Sequence, residues 1–419
     1  MLGAWQLLLN SFADLRGAGM GTSGSVALYG SVGETLTHYA LNVETAELVS
    51  GATLNLGEPI EYAWPHPTEP LLYVICGHRG AAKRHLNQQL SVCRIDRATG
   101  SLEAHGAPLP LPARPIYLSL DTEGKHLFVA YNDPSGLTVH AIRPDGTPTN
   151  PLPISGPLDT GIYAHHVRVM PANHTVVLVT RGNSATETQT EQPGALKLFS
   201  LRGGALTDLT SIAPNSGYGF GPRDIDFHPR HPWAYVSLER QNRLQVFKII
   251  GDRLEPMPAF DVSTLANLTH VEPRQLAGTL HIHPNGGFVY VANRADGLVD
   301  WQGHKVFRGG ENSIAVFAID PGTGEPRLIQ SEDTRSIYVR TFSIDPTGRI
   351  LVAASTREIA VREGADVAIK PAAITLFRIA DDGKLEYVRK YDVETRNEIG
   401  EQQWVGFVDL ARYARSRTE

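Results

Sequence analysis

Residues 278–294 read GTLHIHPNGGFVYVANR, and residues 340–356 read RTFSIDPTGRILVAAST. Each is a short apolar run, a polar His/Asp-Pro-x-Gly turn and a second, more apolar run. Period-two alternation broken by such a turn marks an antiparallel strand pair, because successive strand side chains point to opposite faces. The pattern recurs at EYAWPHPTEPLLYVICG from Glu61, IYLSLDTEGKHLFVAYN from Ile116, HHVRVMPANHTVVLVTR from His165 and RDIDFHPRHPWAYVSLE from Arg223. The turns fall at Pro67, Thr122, Pro171, Pro229, Pro284 and Pro346, a period of 49 to 62 residues. A third alternating run (LQVFKI, IAVFAID, ITLFRIA) and a weaker fourth (GKLEYVRKY, GEPRLIQS) follow within the units.

A four-stranded meander has two faces and cannot bury both alone. Radial stacking buries them and shortens the exposed edges, so the expected fold is all-β, a β-propeller of four-stranded antiparallel blades. Near the N-terminus SVALYGSV, ETLTHYALNV and AELVSGATL supply second, third and fourth strands without a first. QQWVGFVDL, from Gln402, supplies a first strand without the rest. Joined, they make a seventh blade that closes the ring and leaves no open sheet edge. A single propeller is expected over residues 25–412, with 413–419 as a tail. Residues 1–24 read as a loose arm, or as an over-long start with Met20 as initiator. Trp-Asp repeats have a shorter period and a Trp-Asp dipeptide that is missing here. The Gly-Gly doublets of Kelch units are out of phase.

Composition narrows the function. Net charge is −6, so a broad nucleic-acid footprint is not expected. No apolar run approaches the roughly 18 residues of a membrane span. Cys76 and Cys93 are too few for a disulfide framework and read as free thiols in a reducing compartment. The apolar run Met1–Leu9 has no preceding Lys or Arg, so a cytoplasmic location is expected, with export as the alternative. The assembly expected is a monomer or a homodimer.

The repeat also gives a phase. Six residues before each turn lies the start of the first, innermost strand: Glu61, Ile116, His165, Arg223, Gly278, Arg340 and, in the C-terminal strand, Trp404. Ten residues after the turn lies the end of the second strand: Gly77, Asn132, Arg181, Glu239, Arg294 and Thr356. Antiparallel neighbours bring both phases to one end of the blade. His165, Arg181, Arg223, Glu239, Arg294, Arg340 and Glu61 are therefore expected around one mouth of the channel. Arginines concentrated in an acidic protein suggest an anionic ligand, because the guanidinium fork matches carboxylate or phosphate.

Other candidates read as structural. His66, His228 and His283 precede turns and recur in register with Asp345, which marks a turn role. His165 and His166 are adjacent on a strand, so alternation points them oppositely. His281 and His283 share a strand face that could bind a metal, but strand hydrogen bonding or packing is the expected role. No His-Glu-x-x-His, Cys-x-x-Cys or Gly-x-Ser-x-Gly pattern is present, so no metal, cofactor or serine nucleophile is expected.

These motifs resemble the seven-bladed β-propeller lactonase family, which includes 6-phosphogluconolactonases and carboxy-cis,cis-muconate cyclases. The likeness spans roughly residues 25–410 and rests on GPRDIDFHP, YVSLERQNRLQVF, HIHPNGGFVYVANR, ENSIAVFAIDPGTGE and VRTFSIDPTGRILVAAS. The family's His-x-Val matches His165, its Gly-Pro-Arg Arg223, its Asn-Glu-Leu Glu239, its Ser-Asn-Arg Arg294, and its Pro-Arg-Gly-Phe Arg340. The resemblance implies His165, Glu239, Arg223 and Arg294 as catalytic residues. Arg340, Arg181, Tyr117, Glu61 and Trp404 are expected to bind substrate. Tyr117 stands where the family has His, and Thr180-Arg181-Gly182 where it has Asp-Leu-Gly. Insertions 182–193 and 297–310, the latter with Trp301, His304 and Lys305, are expected to overhang the same mouth.

The expected activity is metal-independent hydrolysis of a small anionic sugar-acid lactone. An arginine clamp (Arg223, Arg294, Arg340) would hold the substrate, His165 would act as base, and Glu239 would orient His165 or protonate the leaving alkoxide. The alternatives are a cycloisomerase using the same groups and a non-catalytic binding scaffold.

Overall fold

The computed structural model describes residues 26–80, 86–154, 156–269, 271–396 and 399–413. The arm expected over 1–24 lies outside them. Seven sheets follow one another in sequence, each with its first strand innermost. The first strands, Ile60–Pro65, Pro115–Leu120, Ala164–Val169, Pro222–Phe227, Gln275–Ile282, Val339–Ile344 and Gln402–Asp409, contact one another in a closed ring. The last belongs to blade 1, ordered Glu47–Asn55, Thr35–Asn42, Val26–Val32, Gln402–Asp409. Both ends of the chain thus share one sheet, as the sequence predicts. Blades 2 to 7 then begin at Ile60, Pro115, Ala164, Pro222, Gln275 and Val339.

The core is divided by this arrangement. Seven apolar clusters lie one between each pair of neighbouring blades. The second strands are buried on both faces; Leu71–Cys76, Thr175–Thr180 and Ile350–Ser355 are buried at every residue. This is why they read as unbroken apolar runs. Cys76 and Cys93 are free thiols packed in the cluster between blades 1 and 2. Tyr413, expected in the tail, is also packed there, and its hydroxyl donates to the His66 carbonyl at 3.1 Å.

Two polar contacts tie blade to blade. Tyrosines of the second strands donate across the interface to glycine carbonyls of the next blade: Tyr29 to Gly100, Tyr73 to Gly146, Tyr235 to Gly324 and Tyr290 to Gly383, at 2.6–2.8 Å. The turn histidines do the same. His66, His228 and His283 place Nε2 2.8–3.0 Å from the carbonyls of Gly124, Gly286 and Gly348. Their Nδ1 atoms accept backbone N–H groups of their own turns, such as Glu69 and His231. Each ring is thus used on both nitrogens.

The four-strand expectation is too regular at one blade. Blade 3 has only Pro115–Leu120, His126–Asn132 and Ser135–Ala141, with an isolated bridge between Ile142 and Pro148 beyond them. Pro148, Pro151 and Pro153 cannot donate to a ladder, so the outer strand fails there. Two extra hairpins project after second strands: Leu298–Trp301 with His304–Phe307, and Ile359–Glu363 with Asp366–Lys370. The first lies in the insertion expected at 297–310; the second was not anticipated. They pack on each other, with the Arg362 guanidinium 5.0 Å from the Trp301 ring centre. No helix among the described residues is long and apolar enough to cross a membrane.

Candidate active site

All seven first strands break register at the same level. The irregularities fall at Glu61, Ile116, His165, Arg223, Gly278–Thr279, Arg340 and Gln403–Trp404. A bulge inserts an unpaired residue and re-aims its side chain. The phase chosen by counting from the turns is therefore the bulge position of each blade. In blade 6 it holds Gly278, and Arg294 from the neighbouring strand fills the room, its Nε 3.6 Å from where a Cβ would stand.

The mouth is organised around three buried carboxylates. Glu239, 3% exposed, receives Arg181 Nη1 at 2.6 Å, Arg223 Nε at 3.1 Å and Arg294 Nη2 at 2.6 Å. Glu61, 2% exposed, receives Arg79 Nε at 3.2 Å and Arg114 Nη2 at 2.6 Å, with Arg340 Nη2 at 3.9 Å. Asp224 lies 3.1 Å from Arg223 Nη1, 3.7 Å from His165 Nδ1 and 3.2 Å from His166 Nδ1. Six guanidinium groups thus meet these three carboxylates and, at Arg79, the half-exposed Glu401 at 3.6 Å, leaving the mouth cationic.

That surplus shows in the titration of the groups. Burial opposes ionisation of Glu61, but Arg79, Arg114 and Arg340 outweigh it and pull its carboxyl down to about 2. Glu239 is likewise held well below the carboxylate range, burial being overcome by Arg181, Arg294 and Arg223. Burial and Arg79 push the Arg340 guanidinium down to about 9, and burial and Arg223 push Arg294 down. Arg294 and Arg340 are short of counter-charge, which is what an incoming anion supplies. Arg294 Nε and Nη1 are buried without a hydrogen-bond partner.

His165 is 7% exposed, and burial, then Arg223, holds it well below 6.5. Its Nδ1 lies 3.2 Å from the Arg223 carbonyl, which only accepts, so Nδ1 carries the proton and Nε2 is the basic lone pair. One residue deeper, the Tyr117 ring stacks on His166 at 3.8 Å and lies tilted against Tyr62 at 4.1 Å, and the Tyr62 hydroxyl donates to that of Tyr117 at 2.9 Å.

Several expectations need correction. His165 and His166 do not diverge; the bulge cancels the alternation and both face Asp224. Glu239, ionised among three arginines, is not a proton donor at neutral pH, and the groups beside His165 Nδ1 are Asp224 and the Arg223 carbonyl. Trp404 is 4% exposed in the cluster between blades 1 and 2, while Gln403 faces Arg79 at the mouth. Lys305 pairs with Asp300 of its own hairpin at 2.7 Å.

Counting also missed Arg79, Arg114, Asp224, Gln403, Tyr163 and Tyr338. The two tyrosines carry a signal: Ile162-Tyr163-Ala164-His165 and Ile337-Tyr338-Val339-Arg340 repeat Ile-Tyr-x-His/Arg, the last residue at the bulge. Both have positive φ, 59° and 64°, and each ring backs a mouth arginine, Tyr163 under Arg181 at 3.9 Å and Tyr338 under Arg294 at 4.9 Å. Among the described residues no group of three or more His, Cys, Asp or Glu side chains is placed to hold a metal.

Comparison with known proteins adds to this geometry. The chain is 27% identical over 266 residues to the 6-phosphogluconolactonase of Bacillus subtilis, covering 62% of this chain and 69% of that one. It is 26% identical over 299 residues to that of Erwinia tasmaniensis, covering 71% and 76%. The solved periplasmic gluconolactonase of Pseudomonas aeruginosa shares the fold, with a TM-score of 0.66 at 19% identity over 91% of this chain and 99% of that one. The family model described as "Lactonase, 7-bladed beta-propeller" matches residues 23–362. With its closed ring of seven blades and this match over most of its length, the chain belongs to the seven-bladed β-propeller lactonase family.

Proposed function

We propose that this protein hydrolyses the lactone of an anionic sugar acid, 6-phosphogluconolactone being the substrate that the names of its relatives suggest. The observation that carries the reading is a buried neutral histidine, His165, at a mouth where guanidinium groups outnumber carboxylates. Arg294 and Arg340, short of counter-charge, hold the substrate's anionic group. Arg223 completes the clamp and faces the developing oxyanion. Preorganised positive charge in a water-poor site is commonly the largest catalytic contribution. His165 Nε2 removes a proton from the attacking water. A histidine depressed below 6.5 is already in its basic form at neutral pH. Glu239 and Glu61 act as counter-ions that hold the clamp in shape.

The test is H165Q assayed against phosphorylated and unphosphorylated aldonolactones, with spontaneous opening subtracted. The expected result is a loss of kcat of about 10²-fold or more with the fold retained. In the wild type, kcat/KM should stay level from about pH 8 down past 6.5 and fall only at lower pH, where His165 takes a proton. An H165Q variant as fast as the wild type rejects the assignment.

A further inference from the structure

Ring opening releases an alkoxide, and Glu239 cannot protonate it. We propose that the Tyr338 hydroxyl is the proton donor to the departing ring oxygen, an inference that rests on the lactonase reading of the mouth. Tyr338 lies two residues before Arg340 in the left-handed region, with φ of 64°. For a bulky residue that conformation is an outlier and persists only where its surroundings impose it. They do so here. Its N–H donates to Asn312 Oδ1 at 2.8 Å, its carbonyl accepts from Thr356 N at 3.3 Å, and Asn312 Oδ1 is itself anchored by Ala295 N at 3.1 Å.

The constraint holds the ring against an arginine of the mouth. Arg294 covers the ring, and the phenol lies within electrostatic reach of Arg79, Arg181 and Arg223 as well. Those arginines come from blades 2, 4 and 5 and converge on the mouth, so the phenol stands beside the groups that would hold the substrate. The structural tyrosines use their hydroxyls within the protein, Tyr290 on Gly383 and Tyr62 on Tyr117, whereas the Tyr338 hydroxyl donates to no acceptor among the described residues.

The chemistry balances. The water oxygen bonds to the carbonyl carbon as His165 Nε2 takes one of its protons. The bond from that carbon to the ring oxygen breaks, and the departing oxygen takes the phenolic proton. Transfer from a phenol to an aliphatic alkoxide is downhill. The proton held by His165 then returns to the phenolate through solvent. The net change is one water consumed and one ring opened to a hydroxy acid.

Y338F keeps the ring beneath Arg294 and removes only the hydroxyl. Wild type and variant are compared on an aldonolactone and on the matched thiolactone, whose thiolate leaves without needing a proton. The expected result is a kcat loss of about 10²-fold on the lactone, KM within about 2-fold, and a nearly unchanged rate on the thiolactone. Both rates come from one sample, so their ratio is independent of the folded fraction. An equal loss on both substrates, or no loss on either, overturns the donor role and leaves the lactonase reading standing. A wild type that opens no lactone overturns both.

Discussion

Glu239 is surrounded by Arg181, Arg223 and Arg294 and is almost fully withdrawn from water, so its charge holds three cations in place. Breaking a buried ion pair from one side leaves uncompensated charge and costs about 3–5 kcal/mol. E239Q is therefore expected to lower the free energy of unfolding by that order, while H165Q, which removes no charge at neutral pH, changes it by less than about 1 kcal/mol. Urea titration of the two variants side by side checks this. Were Glu239 a proton donor instead, E239Q would keep its stability and lose only turnover. At this scale the sequence is informative wherever a residue is in step with the repeat. His165, Arg223, Glu239, Arg294 and Arg340 are in step. Arg79 and Arg114 are not, because they stand outside both counted phases and reach Glu61 by side-chain length. Trp404 is displaced by one because the irregularity in its strand spans two residues, and counting cannot tell which of them turns inward.

The repeated element is a strand pair whose turn is gripped by the preceding blade. Gly286 has φ of 73°, and a Cβ placed there would stand 2.7 Å from the His228 ring. Gly251 shares the left-handed conformation, φ 58°, with nothing within 4 Å of an added Cβ. G251A should thus cost only the backbone term, about 1 kcal/mol, whereas G286A also displaces His228 from the Gly286 carbonyl and should cost about 2–4 kcal/mol. Equal melting shifts for the two would deny the latch its role. Strand pairs and turns are legible locally, since alternation and turn chemistry are written within a dozen residues. The bulge is not: it depends on how each strand meets its neighbour, and its residues range from Ile116 to Arg223.

The whole ring holds together through seven interblade clusters and a sheet shared by both chain ends, so acid should weaken it everywhere at once. Burial lowers the folded-state pKa of His66, His165, His166 and His228. Each lies below its unfolded value near 6.5, so the stability it confers is complete above that pH and is lost as pH falls through the folded values. Glu61, held down to about 2, stays ionised far below that window. The melting temperature is expected to fall by at least about 5 °C between pH 7.5 and pH 5, and calorimetry showing a flat profile over that range would count against it. Alone, the sequence determined the all-β class, the blade period, closure by the two ends and most of the charged positions around one mouth, because a repeat converts chain distance into ring position. Tertiary structure alone decided which groups meet: the turning of His166 toward Asp224, the ionised state of Glu239, the arrival of Arg79 and Arg114, and the setting of the Tyr338 ring against Arg294. Those outcomes depend on burial and on contacts between blades far apart in the chain, and no count along a single strand contains them.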